Sequence, residues 1–203
     1  MKRRIPDKAL LVLAVFALIL CACAKTQVTR VDADTTIDLS GRWNDTDSRL
    51  VSEAMVTSCL GSPWINSHVM AEAAKPVIIV GSIRNKTEEH IATGIFVKDL
   101  ERSCVVSGLV DVVASSEERE DLRDERLDQQ ANADPETIKE MGRELGADYM
   151  LIGSIQTQGD QSGNTEVFFF SVDLEMVDIE SNKKVWMDNY KIKKVRQQGR
   201  FKG

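Results

Sequence analysis

Apolar positions recur in three rhythms along the chain. Near the N-terminus, Ala9 to Leu20 is an unbroken apolar run behind Lys2, Arg3, Arg4 and Lys8. It is too short to span a bilayer and has the layout of an export signal. Between Leu50 and Leu145 the spacing is mostly helical. Leu50, Val51, Ala54, Met55 and Cys59 predict a first helix ended by Gly61-Ser62-Pro63, and a short helix follows over 64–73. Ile91, Ile95, Leu100 and Cys104 predict a further helix with those residues on its core side. The short continuous runs Val77–Val80, Leu109–Val113 and Tyr149–Ile155 read as buried strands. Phe168, Phe170, Val172, Leu174 and Met176 alternate with polar residues, the mark of a half-buried strand. Ser181-Asn182 then turns into a last strand over 184–193, with Trp186, Tyr190 and Ile192 on one face.

Two more helices are expected between the second and third strands. Ser115 and Glu118 have capping-box spacing at the start of a charged helix over 117–130, where only Leu122 and Leu127 can pack. Asp134-Pro135-Glu136 begins another, with Ile138, Met141 and Leu145 inward. The order predicts an α/β fold: a single domain with a mixed sheet of about five strands flanked by helices and closed by a C-terminal β-hairpin.

Leu20-Cys21-Ala22-Cys23 changes the reading of the first rhythm. A Leu three positions before Cys23 and a small residue directly before it resemble the lipobox of bacterial lipoproteins, whereas Cys21 follows the bulky Leu20. The alternatives are an ordinary secretory signal or an uncleaved anchor. The resemblance implies cleavage before Cys23 and acylation there, with enough acyl chains for stable anchoring. The expected organisation is a signal peptide over 1–22, a lipidated flexible tether over 23–47 and a folded domain over 48–203.

The chain of 203 residues carries a net charge of −6, with 42% hydrophobic and 29% charged residues, a globular balance. An acidic body argues against nucleic acid, whose phosphates need a broad basic face. Beyond Asp188 there is no acid, while Lys191, Lys193, Lys194, Arg196, Arg200 and Lys202 crowd the end, as either an interaction tail or a solvated terminus. Cys59 and Cys104 could form a disulfide in an oxidising compartment or sit apart as small buried hydrophobes.

Little in the sequence suggests catalysis. The two histidines, His68 and His90, stand in separate segments without a ligand motif, so no metal or other cofactor is expected. No hydrolase, nucleotide or dinucleotide signature is present. The carboxylates of the charged helix have the look of a solvated face, so no catalytic residue is assigned.

Asn85-Lys86-Thr87 after a buried strand, Phe96-Val97-Lys98-Asp99-Leu100-Glu101-Arg102, and Val112-Val113-Ala114-Ser115 leading into Glu117-Glu118-Arg119 together resemble the LpoB-type activators of penicillin-binding proteins. Gly146-Ala147-Asp148-Tyr149-Met150-Leu151 and Lys184-Val185-Trp186 extend the likeness, and Arg42-Trp43-Asn44-Asp45-Thr46 is similar to members from other bacteria. The resemblance implies an outer-membrane lipoprotein with its domain in the periplasm. It would dock on a class A penicillin-binding protein and stimulate peptidoglycan synthesis without being an enzyme itself. Lys25 downstream of Cys23, in place of a retaining aspartate, agrees with the outer membrane. On this reading the expected docking residues are Glu117, Glu118, Arg119, Arg123, Arg126 and Gln129. An alternative is a CsgG-like lipoprotein of an envelope or secretion complex; a third is a thiol-dependent envelope enzyme.

Overall fold

A computed structural model describes residues 27–33, 35–132 and 145–197. The signal segment, Cys23, the helix expected from Asp134, and residues 198–203 with Arg200 and Lys202 lie outside the described residues. Backbone contacts divide the chain into Met1–Thr35 and Thr36–Gly203. In the first unit the described residues are non-helical and exposed, with Thr35 N donating to Asp32 O.

The second unit is the α/β body. Its elements run α1 (Asp45–Leu60), α2 (Pro63–Glu72), β1 (Val77–Asn85), α3 (Thr93–Ser107), β2 (Asp111–Val112), α4 (Ser116–Asn132), β3 (Tyr149–Ser162), β4 (Thr165–Asp178) and β5 (Lys184–Gln197). The sheet has the order β2-β1-β3-β4-β5. β1 pairs in parallel with both β2 and β3, while β3, β4 and β5 form an antiparallel meander. This is the predicted mixed five-stranded sheet.

Helices α1 and α3 pack on one another and share one face of the sheet, α1 over β4 and β5, α3 over β1 and β2. Val51, Met55 and Cys59 of α1 meet Phe96, Leu100 and Cys104 of α3 above Ile78, Val80, Leu151, Ile155, Val172, Leu174 and Met176. Burying a side chain of this size stabilises by about 1.5–3 kcal/mol, so this face holds most of the driving force. Leu50 and Ile95, expected inward, are 41% and 63% exposed. Each sits on a neighbouring arc of its helix, which the adjacent core positions leave in water.

A bulge corrects the phase of β1. The register steps from Val80↔Leu151 to Ile83↔Gly153, so two residues of β1 oppose one of β3 and both Val80 and Ile83 face the core. Gly153 is needed there, because a Cβ would lie 2.3 Å from Asp173 O and 2.5 Å from a Leu174 methyl.

The strands are longer than alternation suggested. β3 and β4 run almost to the Gly163 turn, where Gly163 has φ 57°, and the basic run Lys191–Arg196 is not a tail but the end of β5. Ser181-Asn182 does turn between β4 and β5, with Asn182 at φ 57°.

The packed body also begins before residue 48. Trp43 meets Phe96 and Phe170 edge-on, with centroids 6.3 and 5.6 Å away, and its indole Nε1 donates to Ser48 Oγ at 2.8 Å. The N-cap of α1 is Asn44, in a reciprocal capping box with Asp47. A lone tryptophan in a polar stretch gives no periodic signal, and this is why the segment read as tether.

Candidate docking site

Helix α4 starts as its sequence dictates. Ser115 N donates to Glu118 Oε2 at 2.8 Å and Glu118 N donates to Ser115 Oγ at 3.3 Å, completing the capping box. Lys98 of α3 reaches across to Glu118 Oε1 at 2.5 Å and to Glu101 Oε2 at 2.6 Å. The Lys98 bond and the Ser115 backbone bond together hold the Glu118 carboxyl down at about 2, while the hydrogen bonds Lys98 donates to Glu101 and Glu118 hold its ammonium above its ordinary value. Beyond this staple the helix is almost bare: Leu122 and Leu127 are 47% and 52% exposed.

The six expected docking residues all lie on α4 without sharing one face. Glu118, Arg119, Arg126 and Gln129 are half-buried, and Gln129 Nε2 donates to Glu125 Oε1 at 2.9 Å. Glu117 and Arg123 are exposed, on opposite flanks of that arc at 100° per residue. Arg119, Arg123 and Arg126, at i, i+4 and i+7, fall within about 60° of one another, while Glu120, Asp121, Asp124 and Asp128 lie on the other side of the helix.

At the far edge of the sheet, Lys194 of β5 gathers the N-terminal segment. Its Nζ donates to Asp47 Oδ2 at 2.6 Å, Asp38 Oδ1 at 2.8 Å and Arg42 O at 3.1 Å. Burial lowers the Lys194 pKa, but the hydrogen bonds to Asp38 and Asp47 outweigh it and the net value is raised; in return the Lys194 and Asn44 bonds lower that of Asp38. Arg196 pairs with Glu166 and lies 5.6 Å from the centre of the Phe168 ring. Phe168 in turn supports buried Gly41, where a Cβ would fall 2.3 Å from the ring. Sequence reasoning missed this cluster because it took Lys194 and Arg196 for a terminus. Their positions two residues apart beyond Ile192, in strand alternation, were the available signal.

The body carries two larger clefts among its described residues. One, about 830 Å³, lies between Lys86–His90 and the distal ends of β3, β4 and β5, with Arg42, Asp160 and Arg196 among its mixed charges. The other, about 590 Å³, holds Glu72, Asp148, Asp178 and Glu180 around His68, whose Nδ1 is 3.1 Å from Tyr149 Oη. Among the described residues, no serine, threonine or cysteine lines this second cleft. Among the described residues there is no group of three or more His, Cys, Asp or Glu side chains that could hold a metal, and no helix is long and apolar enough to cross a membrane.

Cys59 and Cys104 are free thiols in this structure rather than a disulfide. Each fills space on the buried side of its own helix. Burial, then the neighbouring Cys104, pushes Cys59 up to about 12; burial, then Glu101, pushes Cys104 up to about 11. Thiols so held are poor nucleophiles.

A family model described as "Peptidoglycan-synthase activator LpoB" matches residues 47–192. Among solved structures, the LpoB C-terminal domain from Salmonella enterica is 15% identical, with 75% of this chain and 99% of that one covered at a TM-score of 0.42. The corresponding Escherichia coli domain is 16% identical, with 72% and 98% covered at 0.43. The NMR structure of E. coli LpoB is 14% identical, with 87% and 85% covered at 0.40. No curated protein matches the chain.

Proposed function

The chain belongs to the LpoB family of peptidoglycan-synthase activators, and from that premise we propose that it binds a class A penicillin-binding protein and stimulates its glycan polymerisation and peptide cross-linking. The observation that carries the reading is the family match, which spans every element from α1 to most of β5. On this reading the chain acts as a regulator and not as an enzyme.

The protein is held to the outer membrane by acyl chains on Cys23 and its body faces the periplasm. Support comes from the basic n-region, the short apolar run and the Leu20-Cys21-Ala22-Cys23 sequence. Because packing already begins near residue 41, fewer residues than expected are left as tether.

Activation requires that the protein bind the active conformation of the synthase more tightly than the inactive one, since equal binding shifts no equilibrium. Helix α4 supplies one docking element. It stands out from the body, and charged Arg123 is exposed on it. The test is capture of a class A synthase from envelope extract by the full-length protein in detergent, followed by a glycan-polymerisation assay. Faster polymerisation is expected, with binding weakened by Arg123→Glu and Arg126→Glu at an unchanged melting temperature. A captured synthase whose rate does not change would sink the activator reading.

A further inference from the structure

The two edges of the sheet are built differently. β2, at one edge, is two residues long and is followed at once by α4. β5, at the other, is fourteen residues long, and among the described residues β4 is the one strand it pairs with. An edge of that length offers a row of backbone N–H and C=O groups on which another strand can be laid.

Its charge selects what can be laid there. From Lys183 to Gln197 the chain has six basic side chains and one acid, Asp188, in a protein whose net charge is −6. Lys184 is taken up by Glu175, Lys194 by Asp38 and Asp47, and Arg196 by Glu166. Lys191 and Lys193 are exposed, two residues apart on one face, and carry no ion pair among the described residues. Met187 and Val195, 64% and 59% exposed, flank them on the same face and add apolar surface.

β5 already takes acids of its own chain, Asp38 and Asp47, by the Lys194 side chain on the face that α1 covers and not by backbone at its edge. Asp38, in the segment ahead of α1, lies against Lys194 at 2.8 Å. A second copy of β5 is a poor occupant, since pairing two such edges would bring lysine against lysine, and like charges across strands are destabilising.

We propose that the outer edge of β5 takes an extended acidic segment of the peptidoglycan synthase as a sixth strand, with Lys191 and Lys193 reading its carboxylates. This rests on the function proposed above and adds a second contact, at the edge of the sheet opposite to the one from which α4 departs. Backbone hydrogen bonds supply the affinity of such an addition, and the lysines its choice of partner.

Hydrogen exchange of the full-length protein in detergent tests it, alone, with the captured class A synthase, and with a peptide of alternating glutamate and threonine long enough to span β5. Residues 187–195 are expected to exchange more slowly with the synthase and with the acidic peptide, but not with a lysine-threonine peptide. The exposed double substitution Lys191→Glu, Lys193→Glu should weaken synthase binding by about tenfold or more at low salt without lowering the melting temperature. Synthase bound and activated with β5 exchange unchanged, or bound equally by the double variant, overturns the edge assignment and leaves the functional reading intact. Protection by the acidic peptide when no synthase binds removes the synthase as occupant and overturns the functional reading.

Discussion

Replacing Lys194 by methionine would keep most of the stem and delete the charge that joins β5 to the segment ahead of α1. The side chains of Lys194 and Asp47 are 11% and 6% exposed, so this pair lies largely out of water. Removing one partner of a buried pair costs about 3–5 kcal/mol, because the other charge stays behind unpaired. Asp47 keeps one donor, the Asn44 backbone N at 2.9 Å, which favours the low end. Asp38 is 51% exposed and adds at most about 1 kcal/mol. The expected loss is about 3 kcal/mol, which at a urea m-value of about 2 kcal/mol/M lowers the unfolding midpoint by about 1.5 M. Adding Asp47→Asn to Lys194→Met should recover about 1–2 kcal/mol, since the stranded carboxylate becomes a neutral amide that still accepts from Asn44. The Lys194 pKa is raised in the folded state, so its contribution is complete below the ordinary value of 10.5 and fades as pH climbs through the folded value. Equilibrium urea unfolding of the wild type and the two variants decides the matter. A midpoint shift below about 0.4 M, or a double variant as unstable as Lys194→Met, would refute the reasoning.

Other expectations concern the sheet, the charged helix and the thiols. Gly153→Ala should destabilise by about 1–3 kcal/mol in the same assay, since the new methyl meets Asp173 O and Leu174 in the middle of the sheet; a neutral result would mean that the β1 bulge can relax. The Glu118 carboxyl, depressed from 4.5 to about 2, stabilises the start of α4 above the ordinary value and loses that effect as pH falls toward 2. Amide exchange at the start of α4, corrected for intrinsic pH dependence, should therefore rise over that window in the wild type and not in Glu118→Gln. Iodoacetamide at neutral pH should leave Cys59 and Cys104 unmodified in the native protein and label both in urea; rapid native labelling of either would revive a thiol-dependent activity.

Elements with a repeating local signal were legible in the sequence. The Ser115–Glu118 capping box is present as spaced, and the alternation from Phe170 to Met176 is buried residue for residue. Features that depend on distant partners were not. Trp43 is held by Phe96 and Phe170, more than fifty residues away, and nothing in Arg42-Trp43-Asn44 encodes their approach. The β1 bulge is similarly hidden: Val80 and Ile83 break the period of two, and only the pairing with Gly153 shows that both point inward. As for docking, the sequence drew attention to α4 by its charge density, and its three arginines recur at i, i+4 and i+7 on one side of the helix. The basic run near the C-terminus carried as much charge asymmetry and turned out to be sheet.

The strand order also has a temporal side. β3, β4 and β5 follow one another through short turns, so they can zip together soon after they emerge, each turn closing a small loop. β1 cannot join them until Ile78 finds Tyr149 and Asn85 finds Ile155, across all of α3, β2 and α4. On loop-closure scaling that search costs about 3 kcal/mol more entropy than a hairpin. A chain delivered N-terminus first must therefore keep Ile78, Val80, Phe96 and Leu100 from premature association while the strands that will cover them are still being threaded, and this interval is when its apolar face is most open to chaperones.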